Sequence, residues 1–169
     1  MSLGTGILPE FDQEMATTRH LLERTPGARL AYRPHPKSWT LGELATHVAT
    51  IPSWAVLTIQ ESELEMGTPD APAQRAQEAK SPGELLERFD MHVKAARSAI
   101  GNASDATLLG DWSLLSGGQV MFTLPRIAVL RSFVMNHLIH HRGQLSVYFR
   151  LCDVPLPSIY GPTADESSL

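Results

Sequence analysis

The sequence predicts an all-α protein, a four-helix bundle with long crossover connections. Three observations predict it. Four segments carry apolar residues at the 3.6-residue spacing of amphipathic helices. Two of them open on the same capping signal, a Ser or Thr followed three residues later by Glu. The connections at 67–80 and 102–124 are too long for a simple up-down-up-down bundle. A helix of ~23 residues is ~35 Å long, and ~14 extended residues at ~3.3 Å each can retrace it.

The first helix is expected from about Leu8 to Glu23, where Phe11, Met15, Thr18 and Leu22 share a stripe and Thr25-Pro26-Gly27 ends the pattern. The second starts at the capping box of Thr40 and Glu43, with Trp39 and Leu44 placed as a hydrophobic staple. Leu44, His47, Ile51 and Trp54 share its face. Pro52 cannot donate to the carbonyl of Val48, so a kink is expected there before the helix continues to about Glu65. The third has Ser81 as cap, Pro82 at the first turn and Glu84 completing a capping box, with Leu85, Phe89, His92, Ala96 and Ile100 as its stripe. The fourth follows Pro125 and runs to about Leu151. Its inner stripe reads Ile127, Leu130, Val134, His137, His141, Leu145 and Tyr148. In 102–124, Trp112, Leu114, Val120 and Phe122 alternate weakly around Gly117-Gly118, which suits a short hairpin. The chain reads as one domain over 1–169, a helical core at about 8–151 and a C-terminal strap at 152–169, with 165–169 expected to fray.

Composition removes several functions. Fourteen basic against eighteen acidic residues give a net charge of −4 without a basic stripe, so no nucleic-acid partner is expected. No apolar run approaches the ~18 residues of a membrane span. The N-terminus has no charged segment followed by an apolar one, so no signal peptide is expected. The single cysteine, Cys152, excludes an internal disulfide framework and reads as an incidental thiol. A cytoplasmic location is expected.

There is no phosphate loop, dinucleotide fingerprint, nucleophile elbow or paired-cysteine zinc motif. The chemistry must come from the seven histidines, His20, His35, His47, His92, His137, His140 and His141. His137 and His141 are four apart on the fourth helix, a spacing that places both imidazoles on one face and within reach of one metal at ~2.0–2.1 Å. Chance gives roughly 0.3 such pairs in a chain of this composition, so spacing alone decides little. The alternative is a pair of solvent-facing or hydrogen-bonded histidines. Placement is more telling, because the pair lies on an apolar stripe where each imidazole brings a donor and an acceptor that need partners. His47 sits on an apolar stripe of another helix, where the alternative is a satisfied core histidine. Sharing a cation solves all three burial problems at once. Three histidines without an evident fourth protein ligand make the open, catalytic pattern. His140 reads as a surface or interface residue, or as support for the pair. His92 reads as a bundle-edge residue, or as one facing the metal cavity. Tyr148 reads as core. Arg142 and Gln144 read as salt-bridge, interface or supporting groups beside the pair. His20 and His35 read as exposed.

Four stretches together resemble the DinB-like (YfiT-like) superfamily. They are Lys37-Ser38-Trp39-Thr40 running on to His47, Pro52-Ser53-Trp54, Asn136-His137-Leu138-Ile139-His140-His141-Arg142-Gly143-Gln144-Leu145, and the tail from Val154 to Glu166. The resemblance implies a four-helix bundle in up-down-down-up order and one divalent metal ion on His47, His137 and His141 with an open side. It implies dimers, and it points to thiol-dependent S-transferases and isomerases among the family's characterised members.

The leading expectation is a metal-dependent enzyme, a low-molecular-weight-thiol S-transferase acting on electrophilic small molecules. A doubly charged centre with three neutral ligands lowers the pKa of a thiol or a water. No catalytic side chain is assigned; the reactive group is expected to be a thiolate or water at the histidine site. The alternatives are a metal-dependent hydrolase using that site, a non-enzymatic metal or small-ligand binder of a stress response, and an interaction bundle with structural histidines. Imidazole suits zinc, nickel, iron and manganese alike. The expected partners are a small-molecule substrate, a thiol and a second copy of the chain, with no membrane.

Overall fold

The computed structural model describes residues 2–67 and 76–166. Helix α1, Leu3–Leu22, starts ahead of the expected Leu8, because the Ser2 hydroxyl accepts the Thr5 amide (3.2 Å) and caps it. Its inner face is Phe11, Met15, Thr18, Leu21 and Leu22, with Glu14 buried among them. Helix α2, Leu41–Thr50, begins at the expected capping box: the Thr40 hydroxyl accepts the Glu43 amide (3.0 Å), and the Glu43 carboxylate accepts the Thr40 amide (2.7 Å).

At Pro52 the helix breaks where a kink was expected. It ends at Thr50, passes through a 3₁₀ turn at Ile51–Ser53 and resumes as α3, Trp54–Gln60. The continuation to Glu65 does not form. Glu63-Leu64-Glu65 alternates polar and apolar residues, and becomes β1, Glu63–Glu65. The end signal expected at Gly67-Thr68-Pro69, and the centre of the 67–80 connection, fall largely outside the described residues.

Helix α4, Pro82–Asn102, is capped by Ser81, whose hydroxyl accepts the Glu84 amide (3.2 Å). The expected capping box is only half made, because the Glu84 carboxylate takes the Lys80 amide (2.9 Å). A short helix α5, Asp105–Leu109, leads into β2, Asp111–Ser116, and β3, Gln119–Pro125. These two pair antiparallel around Gly117 and Gly118, whose φ values of 59° and 75° are those of a tight hairpin turn. Strand β1 joins β2 in parallel, and the Glu65 carboxylate accepts the Gly67, Gly117 and Gly118 amides at 2.8–3.0 Å, holding β1 to the turn. The chain is therefore mostly helical as expected, but the purely α class needs amending by a three-stranded sheet.

The last helical run is α6, Arg126–Val129, a π-helical stretch at Leu130–Asn136, and α7, His137–Leu151. The π stretch adds a residue to its turn, so the face rotates. Beyond it the buried stripe is Leu138, Arg142, Leu145 and Phe149, and His137 and His141 lie half-buried on its flank. The inner stripe expected through both histidines and Tyr148 is corrected accordingly.

Helix α4 packs on α1 and on α2–α3, while α7 packs on α2 and α1. Their joint core includes Phe11, Leu41, Val48, Phe89, Leu138 and Phe149. A second cluster, Trp112, Leu114 and Val129 with Leu64, Phe122 and Phe133, joins the sheet to the π stretch. The tail from Cys152 to Glu166 lies as a strap. Asp165 and Glu166, expected to fray, are held: Asp165 pairs with Arg150 (2.5 Å), and Glu166 pairs with Arg24 (2.7 Å) and accepts the Ser158 amide (2.9 Å). Residues 167–169 of that expectation lie outside the described residues.

Candidate metal centre

Helix α2 delivers His47 on the face turned to α7, and the first turns of α7 deliver His137 and His141. The structure brings all three together. One ring nitrogen of each lies within 4.8 Å of the others, and the Nε2 atoms of His47 and His137 are 3.0 Å apart. Two neutral imidazoles at that distance share one N–H, and a cation would take the place of that proton. Ligand atoms at ~2.0–2.1 Å around a tetrahedral centre lie roughly 3.3–3.4 Å apart, so the spacing suits a shared ion.

The third ligand is oriented from outside. Nδ1 of His141 lies 2.8 Å from Oε1 of Gln144, so it carries the proton and Nε2 is left to coordinate. The Gln144 amide nitrogen in turn lies 3.1 Å from Nε2 of His140. His140 is exposed, and with Gln144 it supports His141 from the solvent side.

Electrostatics favour neutral ligands. Burial, with the imidazoles of His141 and His140 beside it, pushes His137 down to about 4. Burial also lowers His141; the Gln144 hydrogen bond opposes this and His140 adds to it. Both rings are neutral near pH 7, so a cation would meet no charged imidazolium there.

Three aromatic rings wall the site. Trp39, just before α2, stacks on His141 at 5.7 Å and meets His47 edge-on at 4.9 Å. Trp54, at the start of α3, meets His137 at 5.1 Å and His47 at 5.6 Å. Phe133 of the π stretch lies 6.4 Å from His137. The sequence reading did not assign Trp54 to the site, although it sits two helical turns beyond His47 on the same stripe. Tyr148 donates to the Trp39 carbonyl (3.2 Å), fixing the entry to α2.

The other histidines stay apart from the trio. His92 places Nδ1 3.0 Å from the Ala49 carbonyl, donating to it where Pro52 breaks the helix. His20 and His35 are exposed, and the His35 ring accepts the Lys37 amide (3.1 Å). Cys152 is half-buried, and burial pushes its thiol up, away from thiolate reactivity. Arg142 was read as flanking the pair. It makes the salt bridge that was one of its readings: 1% exposed, it is ion-paired to Glu14 (2.8 Å) and bonded to the Thr18 hydroxyl (3.1 Å) and the Tyr160 hydroxyl (2.6 Å).

Comparisons with known proteins agree with this architecture. The sequence profile of the DinB superfamily matches residues 10–145. The chain is 28% identical to an uncharacterised protein of Bacillus subtilis (strain 168), YrdA, over 94% of this chain and 89% of that one. Among solved structures it is similar in fold to a DinB-like protein from Bacillus cereus ATCC 10987, with a TM-score of 0.71 and 22% identity over 92% of this chain and 97% of that one. It is likewise similar to the DinB-like protein YjoA of Bacillus subtilis, with a TM-score of 0.68 and 19% identity over 97% and 99% of the two chains.

Proposed function

Because the chain belongs to the DinB superfamily, we propose that it is a divalent-metal-dependent enzyme that transfers a low-molecular-weight thiol to electrophilic small molecules. The observation that carries this reading is the convergence of three imidazoles from two helices at one point. A divalent cation bound there supplies Lewis acidity, which brings the pKa of a thiol or water toward neutrality.

The chain's own residues do the rest. His47, His137 and His141 hold the ion with neutral donors, which leave its charge undiminished. Gln144 fixes the tautomer of His141. Trp39 and Trp54 shield the imidazoles from water and stiffen their orientation through ring contacts. In the proposed reaction the thiol sulfur forms a bond to an electrophilic carbon. The thiol proton passes to solvent, and the electron pair of the broken bond stays with the leaving group or the heteroatom of an opened ring. The same reading includes an up-down-down-up helix order, a homodimer, a cytoplasmic location and a role in stress response. None of the described helices is long and apolar enough to cross a membrane.

The test is a screen of the zinc-, nickel-, iron- and manganese-loaded chain against epoxides and alkyl halides with several cellular thiols. Thioether formation that His47→Ala abolishes is the expected result. A loaded chain that accelerates no combination, or a rate unchanged in His47→Ala, contradicts it. Hydrolysis without added thiol would select the hydrolase reading instead.

A further inference from the structure

Beside the three histidines, between α3, the sheet and the π stretch, lies a cavity of about 70 Å³. Two of its walls also touch the metal-binding imidazoles: Trp54 and Phe133 line it and lie 5.1 and 6.4 Å from the His137 ring. Its far residues come from the sheet, Leu64 of β1 with Trp112 and Leu114 of β2. Met66, which is 60% exposed, also lines it and puts one wall at the surface.

No charged side chain lines this cavity, and its polar side-chain groups are the Thr58 hydroxyl and the Trp54 and Trp112 indoles. Trp112 is 2% exposed, and its Nε1–H is buried without a hydrogen-bond partner among the described residues. The lining is otherwise aliphatic and aromatic, which favours an apolar occupant over water. With ~30 Å³ as a water's share of liquid volume, the space suits a short alkyl group of roughly two to three carbons.

We propose that this cavity is the subsite that selects the substrate. The substrate is a compact, uncharged electrophile with a short apolar arm in the cavity. Specificity then resides in the sheet, while the helices hold the ion. The inference rests on the reading of the histidine trio as the reaction centre.

The test follows the indole resonances in ¹H–¹⁵N spectra of the full chain, with and without zinc. The chain has three tryptophans, and Trp112→Phe identifies the Trp112 signal. Butan-2-one is the probe and butyrate the charged control. Butan-2-one is expected to shift the Trp112 indole saturably, with intermolecular NOEs to Leu114 and Val129, while butyrate leaves it unmoved. Leu114→Phe fills the cavity and is expected to weaken ketone binding at least about tenfold, with metal content unchanged. An unmoved Trp112 indole, absent NOEs in the unsubstituted chain, or undiminished binding in a folded Leu114→Phe overturns the subsite. Metal binding that persists alongside any of these leaves the metal centre standing, so the two readings fail separately. A ketone shift in a chain that takes up no metal overturns the cavity's role as a subsite of a metal centre.

Discussion

At the scale of single residues, the hydrogen bond from His141 to Gln144 decides which ring nitrogen is left for the site. Gln144→Leu leaves the His141 tautomer free and should weaken metal affinity by roughly 10–100-fold; competition against a chelator would measure it, and an unchanged affinity would remove Gln144 from the site. The pH dependence follows from His137. In the fold it protonates only at about 4, against 6.5 when unperturbed. Between those values the unfolded chain binds the extra proton, so stability rises with pH. The contribution is complete above about 6.5 and disappears as pH falls through about 4. Urea midpoints of the metal-stripped chain should fall over this window, and His137→Gln should flatten the slope. An equal slope in both proteins would contradict the assignment. The meeting of the three histidines was legible in the sequence because His137 and His141 keep their i, i+4 spacing whatever the helix packs against, and His47 lies on the apolar stripe of a neighbouring helix. A salt bridge for Arg142 was also read, but not its partners, since nothing local announces that Glu14, Thr18 and Tyr160 come from the other end of the chain and from the strap.

At the scale of elements, the caps at Thr40 and Ser81 were legible, whereas the Ser2 cap of α1 and the boundaries set by tertiary pairing were not. Thr40 and Ser81 start their helices as read, because the cap is a local hydrogen bond. Strand β1 needed β2 to exist, and its three residues give too little alternation to announce themselves. The π stretch was missed for another reason: the period of 3.6 assumed for the whole run cannot register an added residue. Close packing between α1 and α4 supplies a prediction. A Cβ on Gly4 would stand 2.3 Å from the Ile100 carbonyl oxygen, a backbone atom that cannot swing aside. Gly4→Ala should cost about 1–3 kcal/mol through forced displacement. Chemical denaturation would read this, whereas a stabilised variant would mean that α1 is not seated on α4 as described.

At the scale of the whole molecule, one polar cluster, with Glu14 and Arg142 buried and the Tyr160 side chain largely exposed, ties the first helix and the strap to the helix that bears His137 and His141. Glu14 of α1, Arg142 of α7 and Tyr160 of the strap meet within hydrogen-bond distance, and the Arg142 guanidinium lies 5.0 Å from the Tyr160 ring. Arg142 follows His141 directly, so the cluster also anchors the backbone that carries the histidine trio. Arg142→Met leaves Glu14 buried and uncompensated and should cost about 3–5 kcal/mol. For a chain of this size each kcal/mol lowers Tm by roughly 2–4 °C. Replacing both partners, Glu14→Leu with Arg142→Met, should restore part of the loss, because no orphaned charge remains. A double variant less stable than the sum of the singles would contradict this view of the pair.

The central claim is that His47 of α2 and His137 and His141 of α7 jointly hold one divalent cation. Elemental mass spectrometry of the untagged chain beside His47→Ala and His137→Ala tests it most directly. The account predicts near-stoichiometric metal in the parent and its loss in both variants, although each alters a different helix. A parent that stays metal-free after incubation with zinc, nickel, iron and manganese, or variants that keep the parent's metal, would contradict it.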